Sequence, residues 1–582
     1  MNDSLRLGAH LQDGGVRFAL WTDRDVPVSL RLFTGGGQRD LPMENLGRGV
    51  YSLFVPGASQ GTRYQFLLDG TALFDPYSRL APQGVGGPSQ VWESSYRFEH
   101  DRPQLSLQGA SIYELHVGTF TPEGTLRAAA QQLPHLVRLG VRAIELMPLW
   151  AFPGERGWGY DGVYPFALHP AYGNPEDLQR LVDLAHGLGL GVFLDMVFNH
   201  FGPEGNVLWA YSPRYFTDRN PTPWGAGPDF TLPQLRSLML ESGEYWLQTF
   251  QFDGMRLDAV HAICDPSQPH FLEELASRVH ALPGPRRYLI AEDERNLASL
   301  VEQTGLDGLW ADDFHHQVEV LLTGIQRGYF GGYRPELSDL AVIAADGWLY
   351  QGQDWNGKPR GSSPQQLAPQ SLVFCLQNHD QVGNRPLGDR LGGRCDPGDL
   401  RAATLLLLLL PYTPLLFMGQ EWNARTPFLY FTDHPEPLGS QVKEGRRREF
   451  ADFSELGGPE DVPDPQAEKT FSASKLDWQE LQSPAAAEAF QLHQKLLRLR
   501  REDPVLRHGD RSGLRSGVEQ GLLWVERVHG DQRRILLVNF QDRDLPWPAA
   551  AQGCQLLFAT AQEIGGQVAA HSGLLLGGSR GQ

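Results

Sequence analysis

Cysteine is scarce in this sequence. The four present, Cys264, Cys375, Cys395 and Cys554, are widely scattered and make no CxxC or zinc-type spacing. A disulfide framework is therefore excluded as the organising device, and a reduced, cytoplasmic setting is the simplest expectation. Long apolar runs are missing as well. Leu405–Leu410 is the greasiest stretch, but Pro411 and Pro414 interrupt it far short of a membrane span, so it reads as a buried helix. The opening residues MNDSLRLGAHLQDGG show no basic segment followed by an apolar core, and no signal peptide is expected. Positive charge is in deficit, with 50 Lys and Arg against 69 Asp and Glu and a formal net charge of −19. Nucleic acid and anionic membranes would be repelled, so neither is expected as a partner. Neutral ligands such as sugars meet no such penalty, and 14 Trp and 17 Tyr offer rings to stack on them, although aromatics more often fill cores. HExxH, an EF-hand loop and tight His/Asp spacing are all lacking, so no metal or other cofactor is expected.

A chain of 582 residues calls for more than one domain. From Leu5 to about Glu93, apolar and polar positions alternate between Gly, Asp and Pro turns, as in GVRFALWT, PVSLRLFT, GVYSLFVP and TRYQFLLDG. That spacing predicts a small antiparallel β-sandwich over residues 1–97. The polar segment Phe98–Gln108, broken by Pro103, reads as a linker.

The texture then changes to apolar runs alternating with helical patterns. The strand candidates are Ser111–Val117, Ala143–Leu149, Val192–Phe198, Gly254–Val260, Tyr288–Asp293, Gly308–Phe314, Ser371–Gln377 and Leu415–Glu421. Amphipathic stretches such as LRAAAQQLPHLVRLG, EDLQRLVDLAHGLG and PHFLEELASRVHAL lie between them. Eight near-continuous apolar strands, most followed by helical sequence, predict an α/β chain with a (β/α)8 TIM barrel over residues 98–503. A doubly wound open sheet is the competitor, but it usually carries a glycine-rich phosphate loop that this chain lacks. The stretch from Trp422 to about Gln482 reads as a long polar loop, with KEGRRREF a solvated charge run by default. Short strands return in GLLWVERV, RRILLVNF and GCQLLFA, predicting a small C-terminal β-domain over residues 504–582.

A barrel places chemistry where its strands end. His116 ends the first strand, Asn199 and His200 the third, and Asp258 and His261 the fourth. Glu292 and Asp293 end the fifth, Asp312 and Asp313 the sixth, His379 and Asp380 the seventh, and Glu421 the eighth. Within FDGMRLDAVH, Arg256 and Asp258 are two residues apart and share one face of a strand. Such a pair is either a structural ion pair or a primed catalytic carboxylate. Carboxylates converging on one mouth suit acetal cleavage, in which a nucleophile and a protonated acid stand roughly 5–5.5 Å apart for retention. Asp258, held ionised by Arg256, suits the nucleophile, and Glu292, after the apolar YLIA, suits the acid. Asp380 is placed to grip sugar hydroxyls. His200 and His379 are possible hydroxyl donors, though a lone histidine is more often a satisfied core residue.

Four stretches sharpen this reading: DMVFNH (Asp195–His200), GMRLDAVH (Gly254–His261), AED (Ala291–Asp293) and QNHDQVGN (Gln377–Asn384). In this order, and on these strands, they resemble the four signature regions of the α-amylase superfamily. The resemblance implies retaining cleavage of α-glucosidic bonds, with Asp258 as nucleophile, Glu292 as general acid/base and Asp380 as transition-state stabiliser. It implies sugar contacts from Arg256, His200 and His379, and a site lined by Leu257, Ala259, Val260, His261, Gln381 and Asn384. Further stretches, DPYSRLAPQGVGGPSQVW, YELHVGTFTPEGT, GWGYDGV, FNHFGPEGN, ADDFHH, NHDQVGNR and GRRREF, are similar to those of superfamily members that act on maltooligosyltrehalose. Such members cut the α-1,4 bond next to the terminal trehalose, after a separate enzyme has made that end. This similarity adds Asp313, Phe314, His315 and His316 as substrate contacts. Trp158 and Tyr160 either stack on sugar rings or form an aromatic cluster under a loop. The residues after Glu292 read DERN, a departure from many relatives. Calcium, held in many amylases by an asparagine at the position of Asn199, is not expected here. Glycogen-branching enzymes share the N-terminal sandwich and the YELH start and are the alternative. A non-catalytic glucan-binding barrel would lack one of the three carboxylates, and all three are present.

Overall fold

A computed structural model of the chain describes residues 5–222, 225–355, 357–450, 459–562 and 565–579. Eight short parallel strands form a closed barrel: β1 (Ile112–Leu115), β2 (Ala143–Leu146), β3 (Gly191–Met196), β4 (Gly254–Leu257), β5 (Tyr288–Ala291), β6 (Gly308–Trp310), β7 (Leu372–Cys375) and β8 (Thr413–Phe417). Closure runs through β1 and β8, with Ile112 opposite Leu415. Each strand is shorter than its apolar run. In GLWADDF the ladder stops at Trp310, and Asp313 already opens the helix Asp313–Thr323. The polar residues at the run ends leave the sheet for loops, which frees their side chains for the mouth.

The helices follow from local signals. Leu126–Leu139 starts at Thr125, whose side chain accepts from the Ala128 N–H, and ends at Gly140 in the left-handed region. Pro175–Gly187 begins with a reciprocal capping box between Asn174 and Asp177. Helix Pro397–Leu409 carries the greasy run and is buried along most of its length. It is apolar all round because barrel and C-terminal sheet cover it from two sides. A Cβ on Gly573 of that sheet would lie 3.4 Å from the Ala402 Cα. Among the described residues, no helix is long and apolar enough to cross a membrane.

Antiparallel sheets flank the barrel. Before it, Gly8–Gln12, Gly15–Trp21, Val50–Pro56 and Glu44–Gly47 form one sheet, and a second is built on Val28–Thr34 and Arg63–Leu68. After it, Leu514–Glu519, Leu522–His529, Gln532–Asn539, Ser572–Ser579 and Gln555–Ala559 form a five-stranded sheet.

Two sequence expectations change. The segment expected as a linker is pinned to the barrel. Arg102 is buried against Asp253 at 3.1 Å, and Leu105 and Leu107 pack on Ile112, Phe193 and Ile290. Apolar residues within a polar stretch thus act as a plug. The long loop after β8 contains the helices Leu438–Glu449 and Glu468–Ala473, so it is a folded insertion.

Candidate active site

Arg256, on β4, is fully buried, and three carboxylates surround it. Its Nη1 lies 2.8 Å from Asp258 Oδ1 and 2.9 and 2.8 Å from the two oxygens of Asp195. Its Nη2 lies 2.7 Å from Glu292 Oε2. Trp310 of β6 covers the guanidinium, 4.4 Å from ring centroid to Cζ. Asp195 and Arg256 are direct register partners on β3 and β4, so the barrel itself sets their meeting. One arginine therefore spans nucleophile and acid candidates, which makes Asp258 and Glu292 close neighbours.

Solvent access divides this cluster. The side chains of Asp195, Glu114 and His379 are 1% exposed, and that of Arg256 is 0%. Asp258 is 12% exposed, Glu292 20% and Asp380 34%. The sealed groups hold, and the three carboxylates nominated from sequence face outward. The backbone beyond β4 helps. Ala259 takes φ 38°, a left-handed conformation unusual for a residue with a Cβ. That turn aims its N–H at Glu292 Oε2, 2.8 Å away, while Val260 N–H bonds the Glu292 carbonyl at 3.0 Å.

Proton states follow from these partners. Burial pushes the Asp258 carboxyl up, but Arg256, His200 and the Asn199 amide together hold it below the ordinary range. Asn199 Nδ2 donates to Asp258 Oδ2 at 2.7 Å and to its carbonyl at 2.9 Å. Glu292 is raised well above the ordinary range by burial, with Asp258 and Asp380 adding to the rise against the pull of Arg256. Asp195 is raised to about 6 by burial, against the attraction of Arg256. His379 donates to Glu114 from Nδ1 at 2.6 Å and lies 2.7 Å from the Tyr160 hydroxyl at Nε2. Tyr160 has one proton, and Asp195 at 2.6 Å is the acceptor that takes it. The hydroxyl then accepts from His379, which makes His379 an imidazolium. Although burial alone would lower it, Asp380 and Glu114 raise its pKa to about 10.

The remaining candidates divide by burial. Asn384 Nδ2 donates to Asp380 Oδ1 at 3.0 Å, and Gln381 Nε2 lies 3.5 Å from His316 Nε2. His200 bonds the Tyr160 carbonyl at 2.9 Å and pairs with Asn199, so it orients the residue that orients Asp258. Leu257 and Val260 face apolar packing. His261 is half-buried beside Val260.

Several expected contacts are buried among protein partners. Asp313 is fully buried and accepts from Tyr333, Asn296 and the N–H groups of Leu349 and Tyr350. Phe314 stacks on Phe374 at 4.6 Å, and His315 is buried with its pKa pushed down to about 3 by burial. Phe314 thus lies against the barrel strand β7, Asp313 is held by groups of the loops after β5 and β6, and His315 packs beside Phe330. Trp158 is likewise sealed. Its indole N–H bonds the Leu429 carbonyl at 3.0 Å, and its ring lies on Phe428. A Cβ on Gly383 would come within 2.2 Å of that ring, so Trp158 packs directly against the helix His379–Gly383 that carries Asp380. Gly159 is required here, since its φ is +101° and a Cβ would sit 2.3 Å from the Pro148 carbonyl oxygen. Within DERN, Asp293 pairs with Arg295 and Asn296 supports Asp313.

Convergence of the strand ends is narrower than the seven named from sequence. Glu421 is fully buried away from the mouth, accepting from Tyr113 and His135. His116 is buried and bonds Thr119, the Gly157 carbonyl and Tyr172. Conversely, the sequence reading missed Glu114 and Trp310 and gave Asp195 no role of its own. The available signal was a carboxylate at an inward position of an apolar run, as in IYEL and FLDM.

Comparison with known proteins agrees with this architecture. The model for "Alpha amylase, catalytic domain" matches residues 89–213. A malto-oligosyltrehalose trehalohydrolase from Deinococcus radiodurans is 49% identical over 544 residues, covering 92% of this chain and 89% of the relative. One from Arthrobacter ramosus is 42% identical, covering 84% and 88%. A 1,4-alpha-glucan branching enzyme of Corynebacterium jeikeium is 31% identical over 52% of this chain and 48% of its own. A crystal structure provisionally described as an alpha amylase, from Salmonella typhimurium, superposes with a TM-score of 0.92 at 38% identity, covering 98% of this chain and 99% of that one. With such coverage on both sides, the chain belongs to the malto-oligosyltrehalose trehalohydrolase family of α-amylase-type glycosidases.

Proposed function

We propose that the protein hydrolyses the α-1,4-glucosidic bond next to the terminal trehalose of maltooligosyltrehalose, with retention, releasing trehalose and a shortened maltooligosaccharide. The observation that carries the chemistry is the graded exposure of one polar cluster, in which Arg256, Asp195, Glu114 and His379 are sealed while Asp258, Glu292 and Asp380 reach the mouth. The trehalose end rests on the names of the relatives.

Asp258 is the nucleophile. Arg256 and Asn199 keep it ionised and fix both of its oxygens. Glu292, protonated in its buried position, gives its proton to the glycosidic oxygen as the Asp258 oxygen bonds to the anomeric carbon, and trehalose leaves. Glu292, now a carboxylate, takes a proton from water, and the resulting oxygen displaces Asp258 from the same carbon. Asp380 binds sugar hydroxyls and offsets positive charge developing on the ring. His379, a cation tied to Glu114 and Tyr160, is placed behind it. Since a trehalose end is itself an α,α-1,1 linkage, a separate enzyme that isomerises the reducing end of a maltooligosaccharide must supply the substrate.

The test incubates the protein separately with maltooligosyltrehalose and with a plain maltooligosaccharide of equal length and identifies the products. Free trehalose, with much slower attack on the plain chain, is the expected outcome. New α-1,6 linkages, or equal cleavage of the two, would overturn the proposal.

A further inference from the structure

The helix Leu438–Glu449 contains the basic run that reads as a solvated face from sequence. Arg446 is different from that reading. Its side chain is 10% exposed, and its Cζ lies 4.9 Å from the Tyr430 ring centroid and 4.5 Å from that of Phe450. Held between two rings, the guanidinium points at the end of the helix carrying Asp380. Its Nη2 donates to the Gly383 carbonyl at 2.7 Å, and its Nη1 to Asn384 Oδ1 at 3.3 Å and to Glu449 at 2.9 Å.

The consequence lies in the symmetry of the amide. Asn384 can present either its oxygen or its NH2 to Asp380, and only the NH2 can bond a carboxylate. Arginine has donors and no acceptor, so Arg446 takes the amide oxygen for itself. Asn384 Nδ2 is thereby turned to Asp380 Oδ1, 3.0 Å away. Asp380 is 34% exposed, its second oxygen lies 3.5 Å from His379 Nε2, and the Asn384 amide is the closer anchor. We propose that Arg446 is a positioning residue for Asp380, acting from the insertion after β8 by fixing which end of the Asn384 amide faces that carboxylate. The inference rests on the role given to Asp380 above.

The experiment compares Arg446→Ala, Asn384→Ala and the double variant on maltooligosyltrehalose, with circular dichroism to confirm folding. A carboxylate displaced by about 1 Å costs up to roughly 100-fold, so kcat for Arg446→Ala should fall about 10- to 100-fold with KM changed far less. Because one residue acts through the other, the double variant should be no worse than Asn384→Ala alone. Arg446→Lys keeps a donor for the amide oxygen and should recover part of the loss, which a packing role would not produce. Unchanged kcat in Arg446→Ala, or losses that multiply in the double variant, would overturn the inference. Should Arg446→Ala fail to fold, Arg446→Lys is compared in the Asn384→Ala background, where it should have no further effect, and a further loss there would overturn it. A wild-type protein that releases no trehalose would contradict the proposed function instead, so the two failures are distinguishable.

Discussion

Two sets of carboxylate, histidine and tyrosine stand on this barrel, and they use the same groups to different ends. Glu421, His135 and Tyr113 meet outside the strands. The glutamate accepts at 2.8 Å from the histidine and at 3.0 and 3.1 Å from the tyrosine hydroxyl, and nothing of it reaches solvent. Glu114, His379, Tyr160 and Asp195 meet inside, equally well bonded, but through Arg256 they hold carboxylates that open on the mouth. The first set is closed upon itself and can only stabilise. The second passes its order outward to carboxylates that stay partly exposed. Residue type therefore distinguishes scaffold from chemistry here less well than the direction in which the last acceptor faces.

Substitutions can break this contrast. Asp258→Ala and Glu292→Gln should lower kcat by about 10³-fold or more while melting stays close to wild type, as steady-state kinetics and calorimetry would report. Near-normal turnover in either would refute its role. Arg256→Met should damage both properties. Three carboxylates would lose their common cation, at a cost of roughly 3–5 kcal/mol in denaturant unfolding, together with most activity. Glu421→Ala should do the reverse of Asp258→Ala. Leaving Tyr113 and His135 without an acceptor should cost about 1–3 kcal/mol, while the folded enzyme keeps its kcat.

The pH response sharpens the contrast further. Asp258 is held low and Glu292 is held high, so the active form is ionised at one and protonated at the other. Between the two values kcat/KM should be flat. It should fall on the acid side as Asp258 takes a proton and on the alkaline side as Glu292 loses one. A profile whose alkaline limb sits at an unperturbed carboxylate value would contradict the burial of Glu292. The smallest expected effect lies where the C-terminal strands meet the helix Pro397–Leu409. His571, just before the last strand of the C-terminal sheet, faces Asp399 at 3.1 Å and Asp542 at 2.8 Å through its two ring nitrogens, so both must carry protons. Its pKa is raised, although burial alone would lower it, by these carboxylates and Asp396. The stabilisation is complete below the ordinary value of 6.5 and is lost as pH rises through the raised one. Melting temperature should therefore drop slightly over that range in the wild type and less in His571→Gln.

Much of this was legible in the chain. The barrel could be read because eight apolar runs alternate with amphipathic helices, and that pattern is set by burial on both faces of a parallel sheet. Asp258, Glu292 and Asp380 could be nominated because run ends are where barrel loops begin. Asp195 and Glu114 were harder, since a single carboxylate inside an apolar strand gives no sign of its partner until register is known. The burial of Asp313 and Phe314 was not legible for a related reason, because where a strand end becomes a helix the partners of its first residues come from distant loops and strands. Arg446 was not legible at all. In a run of three arginines, which one is captured between Tyr430 and Phe450 depends on where the insertion folds back.

If the outward-facing carboxylates form a retaining site that cuts at a trehalose end, the products carry two signatures. Proton NMR of maltooligosyltrehalose during turnover tests both at once. Trehalose should appear together with the α-anomer of the shortened maltooligosaccharide before mutarotation. First appearance of the β-anomer, or cleavage that leaves trehalose attached to glucose units, would contradict such a site.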